Sequence, residues 1–166
     1  MESISEVDGI KKILEPITDP EIPVLSIFDL GIVRSIFYNI DLKQVEVVIT
    51  PTYSGCPAMK IIEKDIKNAL KSSGYENIDV KYQLHPPWTT DFINDDAKQK
   101  LIKYGIAPPE KRIRALGTGH SKFEKVKCPF CNSENTLLRS YFSSTACKEL
   151  HFCNNCKQPF EKFKCH

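Results

Sequence analysis

The sequence predicts an α+β protein in two parts. A small αββαβ-type domain, with a short sheet and helices on one face, precedes a C-terminal cysteine-rich zinc ribbon. Three observations carry this reading. The apolar residues of the first half switch between a helical repeat and strand-like runs, in the order helix, strand, strand, helix, strand. Six of the seven cysteines lie between Cys128 and Cys165. Two C-x-x-C knuckles in that tail, Cys128/Cys131 and Cys153/Cys156, frame a loop of 21 residues, close to the spacing of four-cysteine metal modules. The expected division is a domain over residues 1–109, a linker over 110–127 and a ribbon over 128–166.

The first helix is expected over Ser3 to Glu15. Ser3 and Glu6 have capping-box spacing, and Val7, Ile10 and Leu14 recur at helical intervals beside Ile13. Pro16 ends it, and Pro20 and Pro23 keep the following stretch irregular. Asp19-Pro20-Glu21 is a turn presenting two carboxylates, which on residue type alone can simply cap and solvate the turn. Gly31 to Tyr38 and the β-branched run Gln44 to Thr50 read as an antiparallel hairpin reversed at Asn39–Lys43.

Pro51 to Pro57 then passes from strand through loop to helix. Pro57 suits a first helical turn, and Ala58, Ile61, Ile62, Ile66, Ala69 and Leu70 form an inward stripe. Gly74 stops that helix, and Tyr75 to Gln83 is a third strand with Ile78, Val80 and Tyr82 on one face. A fixed turn at His85–Asp91 carries the sole tryptophan. Asn94 to Tyr104 is a short helix with Ala97, Leu101 and Ile102 inward, and the basic, glycine-containing stretch 110–127 reads as a linker.

Composition excludes several classes. No stretch approaches the ~20 apolar residues of a membrane helix, and the N-terminus has no basic region followed by an apolar run, so a secretory signal is not expected. The expected compartment is the cytoplasm, where thiols stay reduced and clustered cysteines point to metal rather than disulfides. A formal net charge of +2 is too small to argue for nucleic acid. The charge is uneven, with 8 Lys/Arg against 4 Asp/Glu over residues 120–166. Lys148, Lys157, Lys162 and Lys164 with Phe142, Phe152, Phe160 and Phe163 could form a nucleic-acid face. The favoured reading makes the phenylalanines the ribbon core and the lysines its solvated surface.

Cys128, Cys131, Cys153 and Cys156 can converge on one tetrahedral ion. Zinc is the expected occupant, and iron fits the same ligands. A four-thiolate site leaves no open position for a substrate, so the knuckles predict a fold and not a reaction. Cys147, Cys165 and His166 remain outside that set and form a candidate second metal or cluster site. Cys56 precedes a helix, where the dipole and free N–H groups favour thiolate. The residues alone leave it open between a buried structural thiol and a reactive one. There is no E-x-x-H pair for a diiron site and no G-x-G-x-x-G dinucleotide motif.

The segments DPEIPVLSIFDLGIVRSI and TPTYSGCPAMKIIEKDI resemble the small domain of the metal–sulfur cluster assembly (SufT-like) family. WTTDFINDDAKQKLIKYGIAPP and STACKELHFCNNCKQPFEKFKCH extend the likeness to the D-protein family of phenylacetate degradation, which joins that domain to a cysteine-rich ribbon. The resemblance implies an accessory or maturation role beside the multisubunit phenylacetyl-CoA 1,2-epoxidase, assisting iron or iron–sulfur centre assembly without turnover of its own. It implies oxygenase or reductase subunits as partners, and a transfer site at Asp19, Glu21, Thr50, Thr52 and Cys56. It also implies structural zinc in the ribbon and a transient iron or iron–sulfur cargo. A non-catalytic docking subunit and a zinc-ribbon nucleic-acid binder are the alternatives, and self-association is left open.

Overall fold

The computed structural model describes residues 4–109 and 126–164. The described chain forms two compact units, the first ending at Asn94 and the second beginning at Asp95.

The first unit is built on a three-stranded sheet in the order β1-β2-β3. Helix α1 (Ile4–Leu14) precedes the hairpin of β1 (Val33–Asn39) and β2 (Gln44–Ile49), which pair antiparallel. Helix α2 (Ala58–Ser72) then carries the chain across to β3 (Asn77–Tyr82), which pairs parallel with β2, as a strand-helix-strand crossover requires. The period-2 pattern of β2 buries Val45, Val47 and Ile49 and leaves Glu46 and Val48 on the other side. Helix α1 contacts β1 and α2, and α2 contacts β3. Ile10, Leu14, Ile62, Ile66 and Leu70 supply the buried helical stripe.

Two expectations for α2 need correction. Ile61, read as inward, is 49% exposed. It lies 100° around the helix from Ile62, past the edge of the buried arc. Ala69 is only half-buried.

The irregular stretch between α1 and β1 is held by its own polar groups. Asp29 Oδ2 accepts the Ser26 N–H at 2.9 Å, and Ser26 Oγ accepts the Asp29 N–H at 3.0 Å. Gly31 follows at φ +64, and a Cβ there would stand 2.7 Å from Phe92 Cβ. Glycine is therefore needed for both conformation and close approach. The Trp88 indole N–H donates to the Leu30 carbonyl at 2.7 Å, and the Arg34 guanidinium sits 4.1 Å over the Phe92 ring. The Trp88–Phe92 segment thus covers the DLG corner.

The second unit is a four-stranded sheet in the order β4-β7-β6-β5. Its strands are β4 (Ile106–Ala107), β5 (Thr136–Ser140), β6 (Lys148–Cys153) and β7 (Pro159–Phe163). Helix α3 (Asp95–Lys103) leads into β4 with Ala97 and Leu101 buried, while Ile102 is half-buried. Strand β4 pairs parallel with β7, Ile106 opposite Glu161 and Ala107 opposite Lys162. Helix α3 and strand β4 thus belong to the second compact unit, which begins at Asp95. The expected linker, 110–127, lies outside the described residues except for Val126 and Lys127. Among the described residues no helix is long and apolar enough to cross a membrane.

Candidate functional site

The ribbon cluster is built by two turns of the same design. In the first knuckle the Cys128 N–H donates to the Ser133 carbonyl at 3.0 Å and the Asn132 N–H to the Cys128 carbonyl at 2.9 Å. In the second the Cys153 N–H donates to the Gln158 carbonyl at 2.9 Å. The residue after each second cysteine takes positive φ, +59 at Asn132 and +60 at Lys157. Asparagine suits that conformation, whereas lysine meets a steric penalty there. The Asn154 N–H reaches the Asn135 carbonyl at 2.8 Å, and its side-chain amide reaches Asn135 Oδ1 at 3.0 Å, joining the knuckles.

These turns bring the sulfurs of Cys128, Cys131, Cys153 and Cys156 within 4.8 Å of one another. Two pairs lie closer, Cys128 to Cys156 at 3.7 Å and Cys131 to Cys153 at 3.5 Å. A tetrahedral ion with sulfur ligands at ~2.3 Å needs sulfurs ~3.8 Å apart, so the donor set fits. The protonation pattern agrees. The Asn155 amide, 3.6 Å from Cys131 Sγ, and the Ser133 N–H pull the Cys131 thiol down. Burial and the neighbouring thiols push Cys156 up. Four adjacent sulfurs cannot all be thiolates without a cation among them. The four cysteines are therefore a metal-binding cluster. Buried Ala107, Val126 and Phe160 close around it.

The ribbon's other charges differ from expectation. Lys148, read as solvated, is 5% exposed and its ammonium lies 2.8 Å from Glu161. Burial alone would raise the Glu161 carboxyl. Lys148 and the Ser143 and Ser144 donors outweigh it and hold the group at about 2. Phe142, read as core, is 68% exposed under the Lys164 ammonium, whereas Phe160 and Phe163 are buried and Phe152 is half-buried. With its ammonium committed to an internal pair, Lys148 is not part of an exposed basic face. Cys147 is buried, its sulfur 3.1 Å from Thr145 Oγ1. Cys165 and His166, its expected companions, lie outside the described residues.

In the first unit the candidate transfer residues sit on two loops. Thr50 follows β2 directly, its N–H bonded to the Ile32 carbonyl at 2.9 Å. Thr50 is 1% exposed, and its Oγ1 has no hydrogen-bond partner among the described residues. Thr52 and Cys56 are each 8% exposed. Gly55 takes φ +78 to turn the chain into α2. The Ala58 N–H, one of the free donors of that helix end, points to the Cys56 sulfur, as does the Tyr53 side chain. Asp19 is buried, and its Oδ1 accepts the N–H groups of Glu21 at 2.7 Å and Ile22 at 2.9 Å. Glu21 is half-buried.

The helix end that favours thiolate at Cys56 is not the largest influence on it. Burial pushes the thiol up, and that effect exceeds the Ala58 and Tyr53 hydrogen bonds; the carboxylates of Glu21 and Asp19 push the same way. Cys56 is therefore a neutral thiol, with two acids near enough to act on it. Tyr53 and Ala58 escaped sequence reasoning. The S-G-C-P turn placing Cys56 ahead of a helix was the only available sign of the Ala58 contact.

Comparison with known proteins places both halves. Residues 8–81 match the profile of the iron–sulfur cluster assembly protein family, and residues 115–164 match that of the PaaD zinc beta ribbon domain. A protein of Escherichia coli, described as the D component of a "Putative 1,2-phenylacetyl-CoA epoxidase", is 43% identical over 165 residues, covering 96% of this chain and 93% of that protein. The Fe-S protein maturation auxiliary factor YitW of Bacillus subtilis is 33% identical over 98 residues, covering 57% of this chain and 91% of its own. A Bacillus anthracis crystal structure of the domain of unknown function DUF59 superposes with a TM-score of 0.54 at 26% identity, covering 58% of this chain and 92% of that one. The chain belongs to the D-protein family of phenylacetyl-CoA epoxidase components, in which an iron–sulfur cluster assembly domain is followed by a PaaD zinc β-ribbon.

Proposed function

We propose that the protein is a maturation factor for a phenylacetyl-CoA epoxidase, with iron or an iron–sulfur unit as its cargo at Cys56. The observation that carries this reading is the surroundings of Cys56. A buried thiol lies in the field of two carboxylates, and near it in sequence Thr50 has a buried hydroxyl without a hydrogen-bond partner among the described residues. A soft sulfur joined by hard oxygen donors, for which Asp19, Glu21, Thr50 and Thr52 are the candidates, would be a mixed set that binds iron without the strength of four thiolates. Iron arriving there displaces the Cys56 proton to solvent. On departure the thiol is reprotonated, and the raised thiol pKa favours release.

The ribbon has a different role in this reading. Its four thiolates take zinc as a closed structural ion, and the ribbon holds its fold by that ion. The oxygenase or reductase subunits are the clients. The experiment is to make the epoxidase with and without this chain under limiting iron. Epoxidase made without it is expected to accumulate with substoichiometric iron and low activity. Fully loaded, active epoxidase from the deletion strain would sink the proposal.

The description of the E. coli relative as an epoxidase component favours a second reading, a stoichiometric docking subunit of the oxygenase. That reading predicts retention in the purified complex and full activity with Cys56→Ser.

A further inference from the structure

Helix α2 begins just after Cys56, and its solvent side carries a pattern that the proposed chemistry does not use. Lys60, Lys64, Lys67 and Lys71 follow one another at steps of four, three and four residues. At 100° per residue they fall within a single arc of about 60°, forming a stripe about 16 Å long. The buried residues Ile62, Ile66 and Leu70 face elsewhere. Lys60, Lys64 and Lys71 are exposed, and none of the three makes an ion pair among the described residues. Lys67 is paired with Glu63 at 2.6 Å. A shallow depression of about 350 Å³ runs along the stripe, lined by these four lysines with Glu63 and Asn68.

Lys60, Lys64 and Lys71 raise the local potential, although Glu63 beside them offsets part of it and the whole chain carries only +2. We propose that this stripe is a docking surface for an acidic protein surface, that of the client receiving cargo from Cys56. The identity of the client rests on the maturation reading, while the charge of the surface does not. A protein partner is favoured over nucleic acid. The stripe has no arginine, the exposed Tyr82 beside it is tied through its hydroxyl to Glu63 at 2.9 Å, and its apolar neighbour Ile61 is 49% exposed. The stripe starts one helical turn from Cys56. A partner lying along it is thereby registered against the sulfur-bearing end of the helix. Lysine point charges of this kind act mainly on the rate of encounter.

The test measures association of the full-length chain with the purified oxygenase and reductase subunits. At about 50 mM salt the wild-type chain is expected to associate with at least one of them, and about 300 mM salt should slow association roughly tenfold. Lys60→Glu/Lys64→Glu/Lys71→Glu should lose about tenfold in association rate and most of the salt dependence. Lys60→Gln/Lys64→Gln/Lys71→Gln should fall between the two and guards against a folding defect, which circular dichroism checks. Cys56→Ser should associate as wild type, so failure of cargo chemistry and failure of docking are read separately. Equal rates and salt slopes for wild type and triple reversal overturn the proposal, as does no association of the wild type. A reversal that abolishes binding of a ~20-nucleotide single strand while sparing subunit association assigns the stripe to nucleic acid and equally overturns it.

Discussion

The two cysteine sites of this protein are built on opposite principles. In the ribbon, four sulfurs are positioned by backbone turns, lie 3.5–3.7 Å apart in their closest pairs, and are closed over by the module's small core. At Cys56, a single sulfur is positioned by a helix end in the field of two carboxylates, and Thr50, near it in sequence, has a buried hydroxyl without a hydrogen-bond partner among the described residues. The first arrangement binds a cation tightly because four adjacent thiols have no other good state. In the proposed reading the second holds a proton that it exchanges for cargo. Ligand number and the ease of reprotonation, more than the identity of the sulfur ligand, separate a clamp from a transfer site.

The largest expected effect breaks the clamp. Cys128→Ser removes one of four thiolates and with it much of a metal-binding free energy on the order of 10 kcal/mol. Ribbon metal should be lost, and hydrogen exchange over β5 to β7 should accelerate. Unchanged metal content would refute the four-ligand assignment.

Next in size, Gly31→Ala tests the frame around the transfer loops. A Cβ would stand 2.7 Å from Phe92 Cβ at a backbone angle that disfavours side chains, so a loss of about 2–4 kcal/mol is expected in urea titration. Cargo binding at Cys56 should weaken with it while ribbon metal stays.

Comparable in scale is the Lys148–Glu161 pair of the ribbon. Lys148→Met leaves the half-buried Glu161 without its cation and should cost about 2 kcal/mol. The pH dependence follows in sign. The Glu161 carboxyl is held down at about 2 in the folded state against about 4.3 unfolded, so its contribution is full above about pH 5 and fades as pH falls toward 2. Glu161→Gln should remove that part of the acid-side slope in a thermal unfolding series.

The smallest effect on stability, and the most telling for function, is Cys56→Ser. Its change in folding free energy should stay within about 1 kcal/mol, while the yield of active epoxidase falls.

Much of this was legible in the sequence because periodicity and spacing are local. The apolar repeat of Ile62, Ile66 and Leu70 marked α2, the alternation in Gln44–Ile49 marked β2, and two C-x-x-C pairs marked the cluster. What escaped depends on contacts distant in the chain. Nothing near Ile106–Ala107 announces pairing with residues 161 and 162. Lys148 looks like any surface lysine until Glu161, 13 positions on, is found 2.8 Å away. The sequence leaves the protonation of Cys56 open for a similar reason. The helix end that favours thiolate is visible locally, but the burial and the Asp19 and Glu21 charges that outweigh it come from the fold. Cys147 was found buried beside Thr145, whereas its expected partners Cys165 and His166 lie outside the described residues.

The most direct test of the clamp-and-transfer account is metal and sulfide analysis of wild-type and Cys56→Ser protein, both purified without oxygen and loaded with ferrous iron. The account predicts ribbon zinc in both proteins and additional iron, with or without sulfide, in the wild type alone. Iron retained in full by Cys56→Ser, or zinc and iron lost together, would contradict it.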